Sequence, residues 1–311
     1  MNAAVLEAPT ILDAPEQRFP LDLGVRLPKI RELFHLATRS QWNPATDVAW
    51  DELDPSQYSE EQRYAARMYW SRRAWGEYGA ISESPALQIR YCMEQLAPDV
   101  RLYFTIRSQE ESRHAEVCYR LAERLGGYIE EPKRAAFQGS VATHGVRKHA
   151  LDPEVPLEGT IAALVCAAEE IAFDVFRHLI EITPNPVARR VQKLIMRDEV
   201  RHCAFGWYFM ASRIPHLTAD QLERVRQAVI TMIEKVELNG YHSAWLAPAN
   251  PASDFEIECD RLTWQAGLGA TVEELEKPVF VASIARIRRQ MKEAWNMDLP
   301  LFRHPKIAHP F

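Results

Sequence analysis

Two short stretches of this chain carry the same side-chain chemistry: Glu110-Glu111-Ser112-Arg113-His114, and Asp198-Glu199-Val200-Arg201-His202. In each, a first acid precedes a second one that stands three residues before a histidine. Residues three apart share a helix face, so Glu111 with His114, and Glu199 with His202, would each turn a carboxylate and an imidazole into the same space. A lone Glu-x-x-His is ordinarily a solvated ion pair, but both copies here sit on apolar stripes. Phe104, Ala115 and Cys118 flank the first, and Ile195, Cys203 and Phe209 flank the second. Burying unpaired carboxylates costs on the order of several kcal/mol each unless a cation offsets them. The pattern calls for positive charge, two metal ions being the simplest form, between the two stretches.

The elements that must position these residues read as helices almost throughout. The first 25 residues are proline-rich and aperiodic, an extended arm. A short helix is expected over 28–40 and a loop over 43–58. Ser59 opens a capping box into a long helix through Ile81. A second helix covers about 99–125 and stops at Gly126-Gly127. The stretch 128–157 is a connection with one helix inside it. A third helix spans 158–182, and a fourth starts with Asn185 as N-cap and Pro186 behind it, running to Ser212. Two further amphipathic helices are expected near 219–246 and 271–296. The chain is all-α, divided into an arm and short helix (1–58), a helical bundle (59–246), and a C-terminal helix and tail packed on it (247–311).

Two more inward carboxylates would complete a four-helix dimetal site. In the Ser59 helix, Glu77 is the lone acid on a face with Ala66, Trp70, Ala74, Ala80 and Ile81. On the third helix the periodicity offers two acids. Glu170, Asp174, Arg177 and Glu181 recur as a solvated face is written, while Glu169 shares its face with Ala162, Cys166, Phe173 and Phe176. Glu169 is therefore assigned inward; if the polar stripe lines the cavity instead, Glu170 takes its place. The separations Glu77 to Glu111 and Glu169 to Glu199 are nearly equal, which describes two helix hairpins joined by a long crossover.

With these residues in order, the sequence resembles the ferritin-like carboxylate-bridged di-iron superfamily over roughly residues 59–212. The resemblance implies a ferritin-like four-helix bundle with a long crossover and additional N- and C-terminal helices. It implies Glu77, Glu111, His114, Glu169, Glu199 and His202 as ligands of two iron ions, with manganese able to satisfy the same donors. It also implies Asp198 and Glu110 as holders of the ring N–H of His114 and His202, respectively, with Arg113 and Arg201 balancing charge. Four residues after the first histidine, where ribonucleotide reductase small subunits carry a radical-storing tyrosine, this chain has Cys118, as bacterial multicomponent hydrocarbon monooxygenases do. Arylamine N-oxygenases often add a histidine four residues before the last ligand glutamate; Ile195 stands there.

The function so implied is a non-haem di-iron oxygenase. It would activate O2 to hydroxylate or otherwise oxygenate, N-oxygenation included, a small organic substrate lined by Trp70, Phe104, Cys118, Phe173, Phe176 and Phe209. The alternatives are a reductase-subunit-like oxidase or radical protein, and a non-enzymatic iron-binding bundle. With no flavin or nicotinamide motif in the chain, electrons would come from an external reductase or ferredoxin.

Composition narrows the partners. The 311 residues, 47% hydrophobic, can bury a large core. The net charge of −6 carries no basic block, which argues against nucleic acid. The longest apolar run, TIAALVCAA, falls short of a membrane span. Cysteines 92, 118, 166, 203 and 259 form no CxxC pair, so neither a disulfide framework nor a rubredoxin-type knuckle is expected. A cytoplasmic protein follows from these readings, and the apolar edges of the long helices suit a homodimer.

Overall fold

The computed structural model describes residues 22–130 and 150–311, and among these the regular structure is helical, with no β-strand. The arm expected over the first 25 residues and the helix expected within 128–157 lie largely outside the described residues. Among the described residues nine α-helices follow in order: α1 (Pro28–Arg39), α2 (Glu60–Met93), α3 (Pro98–Arg124), α4 (Leu157–Ala163), α5 (Glu170–Ile182), α6 (Pro186–Arg213), α7 (Ala219–Lys235), α8 (Pro251–Gln265) and α9 (Glu273–Trp295). A π-helical turn, Leu164–Glu169, joins α4 to α5. None of these helices is long and apolar enough to cross a membrane.

Local chemistry explains the boundaries. The Ser59 hydroxyl accepts from the Gln62 backbone N–H at 3.1 Å and the Gln62 side chain accepts from the Ser59 N–H, closing the capping box that starts α2. That helix runs past Pro85 to Met93, well beyond Ile81. Asn185 caps α6 by accepting from the N–H groups of Val187 and Ala188. After α3, Gly126 and Gly127 take φ of +126° and +116°, a left-handed exit that a Cβ would oppose.

The core is built from two pairs, α2 with α3 and α4–π–α5 with α6. The short helix α1 covers α3 and α6, α7 lies along α4, α8 lies on α2, and α9 on α5. Gly206 on α6 shows how closely the second pair approaches: a Cβ there would come within 2.6 Å of a Val165 methyl in the π turn. Three sequence expectations are corrected here. The helix expected over 219–246 ends at Lys235, and Pro251–Gln265 forms a helix that had been missed, although its Asn250-Pro251 start repeats the Asn-Pro signal of α6. Of the stripe Glu170, Asp174, Arg177 and Glu181, expected to be solvated, Arg177 and Glu181 are exposed, whereas Glu170 and Asp174 are buried under α9, whose Arg286 pairs with both carboxylates at 2.7 and 2.8 Å.

Candidate metal centre

Helix geometry converts the repeated spacing into a cluster. Ligand-capable atoms of Glu77 (α2), Glu111 and His114 (α3) and Glu199 (α6) all lie within 4.8 Å of one another, and those of Glu169, Glu199 and His202 do likewise. His114 Nδ1 stands 3.2 Å from Glu199 Oε1, 3.5 Å from Glu111 Oε2 and 3.7 Å from Glu77 Oε2. His202 Nδ1 stands 3.0 Å from Glu199 Oε2 and 3.4 Å from Glu111 Oε1. Glu111 and Glu199 thus each turn one oxygen to His114 Nδ1 and the other to His202 Nδ1.

The outward ring nitrogens are held across the bundle. Asp198 Oδ2 lies 3.3 Å from His114 Nε2, and Glu110 Oε2 lies 3.0 Å from His202 Nε2. An Nε2–H engaged by a carboxylate leaves Nδ1 to face the cluster and fixes the ring plane. Asp198 also accepts from Trp42 Nε1 at 2.7 Å, from Arg113 Nη2 at 3.1 Å and from Arg201, which spans to Glu110. Burial would raise the Asp198 carboxyl, but the His114 hydrogen bond and charge, with the Trp42 bond, hold it well below the usual carboxylate range. Arg113 and Arg201 therefore tie the two outer acids into one buried network.

Electrostatics within the cluster are those of a site short of positive charge. Burial pushes Glu169 up to about 7 against the pull of Arg107. Burial would lower His202, but the charges of Glu199 and Glu111 carry it to about 10. Protons and one guanidinium supply the counter-charge: Arg107 Nη2 contacts Glu111 Oε1 at 3.0 Å and also Glu169 Oε1, while its Nη1 donates to Ser84. Two atoms of the cluster, His114 Nδ1 and Glu169 Oε2, are buried without a hydrogen-bond partner. Four carboxylates, two imidazoles and orphaned inward atoms are a donor set that divalent first-row cations fit.

A cavity of about 220 Å3 opens beside Glu77, Glu111, Glu169 and Glu199. Its walls include Phe173, Phe176, Leu164 and Ile195, and also the polar side chains of Tyr241, His242, Asp260 and Glu276. Of the aromatic and thiol candidates read from sequence, Phe173 and Phe176 are in its walls; Trp70, Phe104, Cys118 and Phe209 are not among them. Trp70 is buried with its Nε1 donating to Leu268 O at 2.9 Å. Phe104 and Phe209 belong to an aromatic cluster with Tyr91 and Phe205. Cys118 is fully buried, and burial pushes its thiol up to about 12. Glu170 faces away from the cluster, receiving Trp207 Nε1 at 2.6 Å and Arg286.

Sequence reasoning passed over Arg107 and Trp42. Arg107 was legible in principle, since it stands one turn before Glu111 on the same face. Trp42 was not, because it reaches Asp198 from a loop far along the chain.

The sequence matches no protein-family model and no curated protein. Its structure is similar to that of an R2-like ligand-binding oxidase with aerobically reconstituted metal cofactor after photoconversion, at 14% identity and a TM-score of 0.67, over 84% of this chain and 92% of that chain. The chain has the ferritin-like fold. A valine-to-isoleucine mutant of the R2-like oxidase with anaerobically reconstituted Mn/Fe cofactor matches at 15% identity and TM-score 0.66, over 84% and 92% of the two chains. A tyrosine-to-phenylalanine mutant with aerobically reconstituted Mn/Fe cofactor matches at 14% and 0.65, over 84% and 93%. In this ferritin-like bundle the cluster lies between the two helix pairs, with residues drawn from both.

Proposed function

We propose that Glu77, Glu111, His114, Glu169, Glu199 and His202 hold two iron ions, or manganese in place of iron, and that the chain is an O2-dependent oxygenase of a small organic molecule. The observation that carries this reading is the cluster itself: both Nδ1 atoms converge on four carboxylates that border a cavity, while Asp198 and Glu110 hold both Nε2 atoms from outside. The R2-like neighbours, with their Mn/Fe cofactors, support the choice of metals. Bound and reduced, such a pair supplies electrons and open coordination positions to O2.

The chain's own residues do the rest. Asp198 and Glu110 keep the imidazoles in the tautomer that presents Nδ1. Phe173, Phe176, Leu164 and Ile195 form the apolar stretch of wall next to the cluster and keep water from the reacting carbon or nitrogen. The cavity volume confines the substrate to a small molecule, and Tyr241, His242, Asp260 and Glu276 in its lining can orient one that carries a polar substituent. Placing one oxygen atom in substrate and reducing the other to water consumes two electrons and two protons. An external reductase or ferredoxin would supply the electrons.

The metal-loaded protein, supplied with a chemical reductant and screened against small aromatic and aliphatic compounds under 18O2, should transfer label into one product. A second reading, an oxidase that removes electrons without inserting oxygen, is favoured by the oxidase activity named for the structural neighbours. It would show as O2 consumption with unlabelled product. A long-lived radical by electron paramagnetic resonance, or mineralisation of many irons per chain without loss of an organic compound, would sink both.

A further inference from the structure

Arg107 distinguishes one side of the cluster from the other. It lies one turn before Glu111 on α3 and is 3% exposed, so water does not share its charge. Its Nη2 touches one oxygen of Glu111 and one of Glu169, and its Nη1 is anchored on Ser84. A guanidinium stays charged at every accessible pH, so it cannot yield its place by losing a proton. The group Glu77, Glu111, His114 and Glu199 has four donors, and the arginine nearest its outer edge, Arg73, stands off at 3.8 Å from Glu77 with a side chain 24% exposed. The group Glu169, Glu199 and His202 has three donors, one of them already engaged by Arg107.

We propose that Arg107 is a positioning residue that acts as a resident cation: it holds Glu111 and Glu169 in place before metal arrives and makes the Glu169–Glu199–His202 side the weaker, later-filled half. The inference rests on the two-cation reading above. A divalent ion entering that half meets a fixed positive charge on Glu169 Oε1, and must either share the carboxylate through its orphaned Oε2 or displace the guanidinium towards Ser84. The ion entering the Glu77 side meets Arg107 only through Glu111, on the oxygen that faces His202; the other oxygen, 3.5 Å from His114 Nδ1, is not the one Arg107 contacts.

The test is an anaerobic titration of the full chain with Mn2+, free ion followed by electron paramagnetic resonance. The native protein should bind two ions in two separated steps. In Arg107→Met the second step should tighten by about tenfold, the factor that a contact worth about 1.4 kcal/mol makes, while the first step stays put. Arg107→Lys, which keeps the charge, should retain the native gap. If Arg107→Met does not fold, Ser84→Ala releases the Nη1 anchor in an otherwise native chain and should narrow the same gap. Two ions bound with the gap unchanged in whichever of Arg107→Met and Ser84→Ala folds, or a second step weakened by the substitution, overturns this inference alone. A native chain that accepts one ion only overturns the two-cation reading and this inference with it.

Discussion

The α2–α3 half and the α4–π–α5–α6 half present the same inner side chains on different supports. Glu77 projects from an unbroken stretch of α2, whereas Glu169 ends a π-helical turn against which α6 can close only because residue 206 is glycine. Outside the cluster the halves diverge further. His114 leans on Asp198, which gathers Trp42, Arg113 and Arg201 as well; His202 leans on Glu110, which is joined by Arg201. A repeated motif therefore does not make two equivalent sites: the donors repeat, while the charges and hydrogen bonds behind them do not.

Substitutions can break that comparison. The largest effect is expected from the inner histidines. His114→Ala and His202→Ala should each keep their helical content by circular dichroism yet lose most bound metal by elemental analysis after anaerobic loading. Full occupancy in either variant would mean that the cluster is not the site.

The outer acids come next. Removing such a partner typically weakens metal binding by about 10–100-fold. Asp198→Asn should weaken it more than Glu110→Gln, because Asp198 also loses its grip on Trp42 and two arginines. Equal losses, read by competition with a chelating dye, would show that the extra contacts around Asp198 carry no metal affinity.

Proton linkage follows from the charge on His202. Its raised value, about 10, means that near pH 7 the cation-free imidazole is protonated, and a metal must displace that proton. Affinity should therefore rise as pH rises from about 6 to 8, and loading in weak buffer should release protons measurable with an indicator. Affinity that falls over that range would reverse the sign.

Glu169 and Glu170 give a finer contrast. Glu169→Ala should lower metal occupancy with little change in folding. Glu170→Ala should leave occupancy intact and lower stability by about 1–2 kcal/mol through the loss of its partly exposed pair with Arg286 and the Trp207 hydrogen bond. The opposite pattern would mean that the π turn is wound differently.

A last contrast concerns Glu276, one of the residues that line the cavity. Burial pushes its carboxyl up to about 7 from an ordinary 4.5, so the folded chain binds this proton more tightly than the unfolded chain does. Stability should decline as pH rises between those two values, a penalty that Glu276→Gln removes. A native chain and variant with parallel stability curves across that window would exclude it.

Much of this protein was legible along the chain. Periodicity, the Ser59 capping box, the Asn185-Pro186 start and the Gly126-Gly127 stop place α2, α3 and α6, because such signals act within one or two turns. The three-residue spacing sets Glu111 with His114 and Glu199 with His202 on common faces for the same reason. What tertiary structure alone decided involves partners far apart in sequence. The Glu170–Asp174 stripe reads as solvated on its own helix and is buried only because α9 carries Arg286 over it. Trp42 meets Asp198 because α1 brings its loop across α6. Trp70, Phe104 and Phe209 lie on inward faces, yet whether an inward aromatic borders a cavity or fills the core depends on how closely the neighbouring helix approaches. No spacing within a helix encodes that distance. Local hydrogen bonds and helical period are properties of a segment; burial, charge balance and empty space are properties of the packed whole.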